Sequence, residues 1–320
     1  MSRYLLLADG HFSRELCPSE IEAILRLALR LLGKNSALAR RVAGYYGGKR
    51  SAHLAKAFGQ ASAGGPFDGF ISLGDNFYDW DNLGLDSEEK AAEARELKHL
   101  LLDRFDLHGK KNIWVPGNHE LGYLNSSLAP IGPSLPPAAN FSCYREVYGP
   151  AYGIRRLSES FSVVWISTAH IETLAAGPQA GGEDENMAFL IRQREEELDF
   201  LSWTLEHLEG RFFFGVHDPG SLFSPRLSSI LDRYLPKLAG SFTGHVHAEW
   251  LLKLAKLYRP GFRSAFKRYK VQFIPSIWGI VLPFFFWPVG AGWAELSIDG
   301  DRAEFLQRSI GADKRKRINL

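Results

Sequence analysis

Five short loops in this 320-residue chain carry the residue types that bind metal ions and move protons. In order they are Asp9-Gly10-His11, Gly74-Asp75-Asn76, Gly117-Asn118-His119-Glu120, Val216-His217-Asp218 and Gly244-His245-Val246-His247. Carboxylate, imidazole and carboxamide groups without a thiolate suit Mn, Fe or Zn, of borderline hardness, rather than a soft metal. Two such ions about 3.5–4 Å apart, sharing one carboxylate, form the arrangement used in phosphate ester hydrolysis. Singly, each loop says little: Gly-Asp-Asn is first of all a turn signal, and a lone histidine is more often a satisfied polar residue than a ligand.

What gives the loops weight is the element in front of each. Short apolar runs precede them at Tyr4–Leu7, Phe67–Leu73, Asn112–Val115, Arg211–Phe214 and Ser241–Thr243, and all five read as buried strands. The carboxyl edge of an open α/β sheet is where such folds place their chemistry. Alternate residues on a strand face one side, so Asp9 and His11, or His245 and His247, can reach a common centre.

On these residues the sequence resembles the calcineurin-like metallophosphoesterase superfamily, whose five signature blocks occur in order between Tyr4 and His247. The resemblance implies a single domain over residues 1–320 with a four-layer α/β/β/α sandwich, two packed mixed β-sheets flanked by helices. It also implies two metal ions of the Mn, Fe or Zn type, Mn being favoured. Asp9, His11, Asp75 and His247 would hold the first, and Asp75, Asn118, His217 and His245 the second. A metal-bridging hydroxide would then attack phosphorus in line. His119 is not a ligand in this pattern; it would hydrogen-bond a phosphoryl oxygen or protonate the leaving group, oriented by Glu120. Tyr78 completes a Gly-Asp-x-x-Tyr run similar to that of purple acid phosphatases, where the tyrosine ligates ferric iron. Those enzymes lack the histidine that stands here as His11, so the ligand position goes to His11, with Tyr78 beside the site or in the core. A purple-acid-type monoesterase remains an open alternative.

Between the blocks lie insertions. Ser19 with Glu22 forms a capping-box start, and Ile21, Ile24, Leu25, Ala28, Leu29 and Leu32 follow at helical spacing inside an inserted helical segment of about 18–60. Ser87 to His108 and Met187 to Leu208 read as helices, and Phe161–Ile166 as a strand. Residues 121–160 read as an irregular excursion because Pro130, Pro133, Pro136 and Pro137 block regular structure. The third insertion, about 250–292, joins seven basic residues within 250–270 to a run, 271–294, with no charged residue. Its prolines and glycines, and its place before the final strands Gly292–Ile298 and Ala303–Gln307, argue against a spanning helix. It reads as a buried strand followed by an exposed apolar loop, suited to an anionic lipid surface.

The net charge of +2 excludes a polyelectrolyte binder acting through its whole surface. Cys17 and Cys143 make no metal-type spacing. The first strand delivers Asp9, so a cleaved leader would remove the site itself and the expected location is cytoplasmic; the basic and apolar insertions add an expected peripheral place on the inner face of the membrane. The expected partners are a phosphoester substrate and that membrane surface, and nucleic acid is not favoured. The basic and apolar insertions point to a membrane-proximal or lipid-linked phosphoester or pyrophosphate such as UDP-diacylglucosamine. A nucleotide or nucleic-acid phosphodiesterase and a non-catalytic protein-binding scaffold are the alternatives of other classes.

Overall fold

The computed structural model describes residues 1–10, 56–77, 85, 87–123, 136–167, 185–245, 260–276 and 292–310, with shorter pieces at 12–13, 17–18, 280–281, 288–289 and 315–320. His11, Tyr78 and His247 lie outside the described residues, as do the expected helix beginning at Ser19 and most of 246–259 and 277–291.

Along the chain, β1 (Ser2–Leu7) and β2 (Gly69–Ser72) lead to α1 (Glu88–Arg104), β3 (Lys111–Trp114) and the single turn α2 (Asn118–Leu121). Then come α3 (Ala138–Tyr148), β4 (Gly153–Arg156), β5 (Phe161–Trp165), α4 (Glu185–His207) and β6 (Arg211–Gly215). They are followed by α5 (Pro225–Arg233), β7 (Leu238–Thr243), α6 (Pro260–Arg268) and β8 (Val271–Phe273). The strands β9 (Gly292–Asp299), β10 (Arg302–Ser309) and β11 (Arg315–Asn319) form an antiparallel end to the chain.

Two mixed sheets result. The first has the order β11-β10-β9-β1-β2-β3 and the second β8-β7-β6-β5-β4. Strands β1, β2 and β3 run parallel, as do β5, β6, β7 and β8. The period-2 alternation of each strand sorts its side chains between layers. Tyr4 and Leu6 turn inward with Ile71 and meet Val163, Phe213 and Phe242 of the other sheet. Leu5 and Leu7 turn outward beneath Leu97 and Leu101 of α1 and Tyr144 and Tyr148 of α3. On the far side Val164, Phe212 and Phe214 lie under Leu198, Leu201 and Leu205 of α4 and Leu227 and Leu231 of α5. The architecture is therefore the expected four-layer α/β/β/α sandwich. An aromatic column crosses its centre, with ring centroids 5.3 Å apart for Phe161–Phe213, 5.1 Å for Phe213–Phe242 and 5.8 Å for Phe242–Phe305.

Helix α1 shows how local sequence sets an element. The Ser87 side chain accepts the Lys90 amide at 3.3 Å, and Glu88 and Glu89 occupy the first turn, where the macrodipole favours negative charge. Ala91, Ala94, Leu97 and Leu101 form the buried face. The helix stops at Arg104, short of the expected His108, and Asp106 then takes a left-handed turn at φ 51°.

The expectation of an irregular 121–160 is corrected here. Its described part contains α3 and β4. The proline cluster ends at Pro137, the N-cap of α3, and the next proline, Pro150, comes only after the helix, so none interrupts its hydrogen bonds. Phe141, Tyr144 and Tyr148 then recur at helical spacing, and all three are buried. In the apolar run, Ile280–Val281 pairs antiparallel with Pro288–Val289. Among the described residues no helix is long and apolar enough to cross a membrane.

Candidate metal centre

Strands β1, β2 and β3 of one sheet and β6 and β7 of the other deliver their carboxyl ends to a common edge, where the loops are laced together. The Asp9 amide donates to Gly74 O at 3.0 Å, and the Gly244 amide to His217 O at 3.0 Å. The His245 amide reaches across the sheets to both Asp9 carboxylate oxygens, at 2.8 and 2.9 Å. Ser276 Oγ donates to Asp9 O at 2.7 Å and fixes the same loop from below.

Two glycines make this approach possible. A Cβ at Gly117 would stand 2.1 Å from Asp75 Oδ1, and one at Gly244 would stand 2.7 Å from the Ala8 Cβ and 2.9 Å from Asp9 Oδ2. Both were visible in the sequence as the residue before a ligand-type side chain. Asp9, Asp75 and His245 themselves adopt left-handed backbone at φ 49°, 54° and 68°. Non-glycine residues seldom do so, and such conformations cluster where surrounding structure enforces them at functional sites.

Four of the expected ligands converge. Ligand atoms of Asp75, His217 and His245 all lie within 4.8 Å of one another. His217 Nε2 is 3.1 Å from Asp75 Oδ2, and His245 Nδ1 is 3.2 Å from His217 Nε2. Asn118 Oδ1 sits between the two rings, 3.1 Å from His217 Nε2 and 3.0 Å from His245 Nδ1. His217 Nδ1 is held by Leu73 O at 2.6 Å, which aims Nε2 at the cluster. This is the carboxylate, carboxamide and two-imidazole set expected of one metal ion, assembled from four loops and both sheets. Of the other expected set, Asp9 is fully buried beside this cluster, and His11 and His247 lie outside the described residues.

The electrostatics of the pocket fit a cation. Asp9, Asp75, Glu120 and Asp218 are each at most 1 % exposed. Burial pushes the Asp9 carboxyl well above its ordinary range; the His217 charge opposes that shift, and Asp75 adds to it. Burial, then Asp75, raises Glu120 to about 7. Burial alone would depress His217, but Asp75 and then Asp9 outweigh it and hold the ring up at about 10. His245 is lowered, chiefly by burial. Several buried carboxylates gathered beside two imidazoles and a carboxamide oxygen are a chemical environment that a divalent ion satisfies.

His119 stands on the Asp75 side of the cluster. Its amide donates to Asp75 Oδ1 at 2.9 Å, its Nε2 is 3.8 Å from Asp75 Oδ2, and its side chain is 16 % exposed. The expectation that Glu120 orients His119 meets a different geometry. Glu120 accepts the amides of Asp75 (2.9 Å), Asn76 (2.5 Å), Phe77 (3.3 Å) and Gly117 (3.0 Å), together with Asn76 Nδ2 (3.3 Å). Its carboxylate clamps the Asp75 loop to the Asn118 loop. The bond to the Gly117 amide is that of a capping box, with Glu120 at the third helical position after the N-cap, a spacing the sequence does show; the bonds to Asp75, Asn76 and Phe77 have no such local signal.

No family model and no curated protein matches the chain. Similar solved structures include a single mutant of Vps29 from Entamoeba histolytica, at 12% identity over 99% of each chain with a TM-score of 0.34. Vacuolar Protein Sorting 29 from Cryptosporidium parvum aligns at 10% identity over 100% of this chain and 96% of that one, also at 0.34. Wild-type Vps29 from Entamoeba histolytica complexed with Zn2+ aligns at 10% identity over 99% and 98%, at 0.31. At these scores the likeness carries no argument for this chain, whose fold and centre stand on its own sheets and side chains.

Proposed function

We propose that this chain is a dinuclear metal-dependent phosphoester hydrolase of the calcineurin-like metallophosphoesterase superfamily. The observation that carries this reading is the convergence of Asp75, Asn118, His217 and His245, from four strand ends, on one buried point. In the proposal these four hold one ion, and Asp9, His11, Asp75 and His247 hold the other, with Mn favoured. Bound ions in such a site supply a nucleophile at neutral pH and neutralise charge on the phosphoryl oxygens. The protein's own part is to hold that site dry and rigid through Gly117, Gly244 and the Glu120 clamp. In this reading His119, part-exposed beside Asp75, would donate a hydrogen bond to a phosphoryl oxygen or a proton to the leaving group.

The substrate class in this reading is a membrane-proximal or lipid-linked phosphoester or pyrophosphate, of which UDP-diacylglucosamine is one example, met on the cytoplasmic face. Its support is the basic stretch 250–270, whose described members Arg263, Lys267, Arg268 and Lys270 are exposed, next to the uncharged run 271–294. The test is a screen of Mn-loaded protein against an aryl phosphate monoester, an aryl phosphodiester and a nucleotide-lipid pyrophosphate. Turnover of the pyrophosphate above both aryl esters is the expected result. Preference for the monoester, with a visible tyrosinate-to-iron band in iron-loaded protein that Tyr78→Phe abolishes, would instead establish the purple-acid alternative. Metal binding with no turnover on any substrate would establish the scaffold.

A further inference from the structure

Helix α3 sends two polar side chains, one turn apart, to the loop that follows β3. Asn140 Nδ2 donates to Leu121 O at 2.9 Å, and the Tyr144 hydroxyl donates to Trp114 O at 2.9 Å. Both residues are buried, and their i, i+4 spacing puts them on one face of the helix. Trp114 ends β3 and Leu121 ends the single turn α2, so the two bonds fall on either side of residues 115–120. That segment carries Asn118, His119 and Glu120. A one-turn helix cannot satisfy its own last carbonyls. Asn118 O takes the Gly122 and Tyr123 amides at 2.9 and 3.0 Å, and Glu120 O takes the Leu85 amide at 3.1 Å. Leu121 O takes Asn140. Asparagine is an unfavourable residue inside a helix, and a buried amide is costly unless it is bonded. The Leu121 carbonyl accounts for this one. Burial, and then Glu120, push the Tyr144 hydroxyl well above its ordinary range, so it stays a donor.

We propose that Asn140 and Tyr144 are positioning residues, through which α3 brackets the loop of Asn118 and His119 at both ends. The inference rests on the hydrolase reading for its kinetic consequence, but its structural readout needs no metal. Glu120 already ties this loop to the Asp75 loop. The bracket is a second restraint, and it ties the loop to a helix outside the centre. Asn118 Nδ2 donates to Tyr123 O at 3.2 Å, two residues beyond the bracketed carbonyl, while Oδ1 meets His217 and His245. Losing either bracket bond leaves a buried carbonyl unpaired, and the loop must move to find another donor. A misplacement of about 1 Å, even from a change far from the chemistry, can lower turnover by about 10²-fold.

Packing is the competing explanation for two buried residues on α3, and three variants separate the roles. Tyr144→Phe removes one oxygen and keeps the ring. Asn140→Leu keeps a side chain of similar shape and removes the donor. Val147→Ala trims a buried, wholly apolar side chain of the same helix and is the control. The first measurement is amide hydrogen exchange in the metal-free full chain. Tyr144→Phe and Asn140→Leu should each speed exchange at His119, Gly122 and Tyr123 about tenfold relative to the amides of β6. Val147→Ala should speed both sets alike. The second measurement is steady-state hydrolysis of an aryl phosphate by Mn-loaded protein. Both bracket variants should lower kcat about 10–100-fold with KM within about twofold, and Val147→Ala should keep both constants. Loop exchange no faster than that of β6, or an unchanged kcat in either bracket variant, overturns the proposal. A wild-type chain with no turnover whose bracket variants still show loop-selective exchange refutes the hydrolase reading alone, with the bracket upheld.

Discussion

Gly117→Ala adds one methyl group at the point where two ligand loops touch, and its consequence can be worked from distances. The new Cβ would stand 2.1 Å from Asp75 Oδ1, 2.3 Å from the Asp75 nitrogen and 2.7 Å from Glu120 Oε2. Ordinary contact begins near 3.4 Å, so the Asp75 carboxylate must retreat by roughly 1.3 Å. It has no room to do so intact. Asp75 Oδ1 accepts the His119 amide at 2.9 Å, and Asp75 Oδ2 is 3.1 Å from His217 Nε2. A displacement of about 1 Å at a reacting centre typically lowers turnover by about 10²-fold, and overpacking a rigid interior destabilises by about 1–3 kcal/mol. The variant should therefore hydrolyse an aryl phosphate at about one hundredth of the wild-type rate and bind less metal, while remaining folded. Gly59→Ala is the matched control: it sits exposed in the helical segment 56–62 with nothing within 4 Å of a Cβ, and should stabilise by about 0.5–1 kcal/mol with activity unchanged. Wild-type metal content and turnover in Gly117→Ala would refute the claim that this contact holds the centre together.

Asn118→Ala removes the oxygen shared by both imidazoles, and elemental analysis should find metal content falling from two ions toward one per chain; two retained ions would remove Asn118 from the ligand set. Phe213→Ala takes the middle ring from the intersheet column and should destabilise by about 3–5 kcal/mol in urea titration, whereas a loss under about 1 kcal/mol would show that the sheets do not depend on it. Glu197 is buried, accepts Gln193 Nε2 at 2.9 Å and has its carboxyl pushed well above 4.5 by burial. A raised carboxyl pKa means the folded state holds its proton more tightly, so the penalty grows as pH rises above 4.5; Glu197→Gln should melt above wild type at pH 8, with the gap closing toward pH 5, and a gap that widens toward pH 5 would reverse the sign. The double variant Phe285→Ser, Trp287→Ser should melt like wild type and lose co-sedimentation with anionic vesicles, and a large drop in melting temperature would instead make that run core.

The strands that end in ligand residues were legible because burial on both faces leaves nearly continuous apolar runs, as in Phe212-Phe213-Phe214 and Leu5-Leu6-Leu7. The ligand types at their ends were legible together rather than singly: each alone reads as a turn or a satisfied polar residue, and it is the recurrence of Asp, Asn and His at five strand ends that sets them apart. What escaped the sequence lacked either signal. Strand β11, Arg315–Asn319, carries three consecutive basic residues, and an edge strand can afford them because only one of its sides pairs. Helix α3 hid behind a proline cluster that in fact ends where it begins. Glu120 was legible as a site residue but not as a clamp, because its partners are backbone amides more than forty residues away in the chain. No spacing rule reaches that far.

A centre of this kind shapes the whole molecule through charge. Asp9, Asp75 and Glu120 are buried together, and although burial alone would depress the His217 ring beside them, Asp75 and Asp9 raise it to about 10. A metal ion held at Nε2 would have to displace that proton, so its binding would compete with protonation and tighten as pH rises. Such an ion would also add positive charge beside the buried carboxylates, and its binding energy would be added to the stability of the folded chain alone, since the four proposed ligands meet only there. At a hundredfold excess over its dissociation constant that linkage is worth about 2.7 kcal/mol. On the proposed reading, a bound metal would be as much a part of the junction between the two sheets as Gly117 and Gly244 are. Stripping it should loosen the loops that carry Asp75 and His245 before it loosens the aromatic column behind them, because that column rests on the buried stacking of Phe161, Phe213, Phe242 and Phe305 and contains none of the ligand residues.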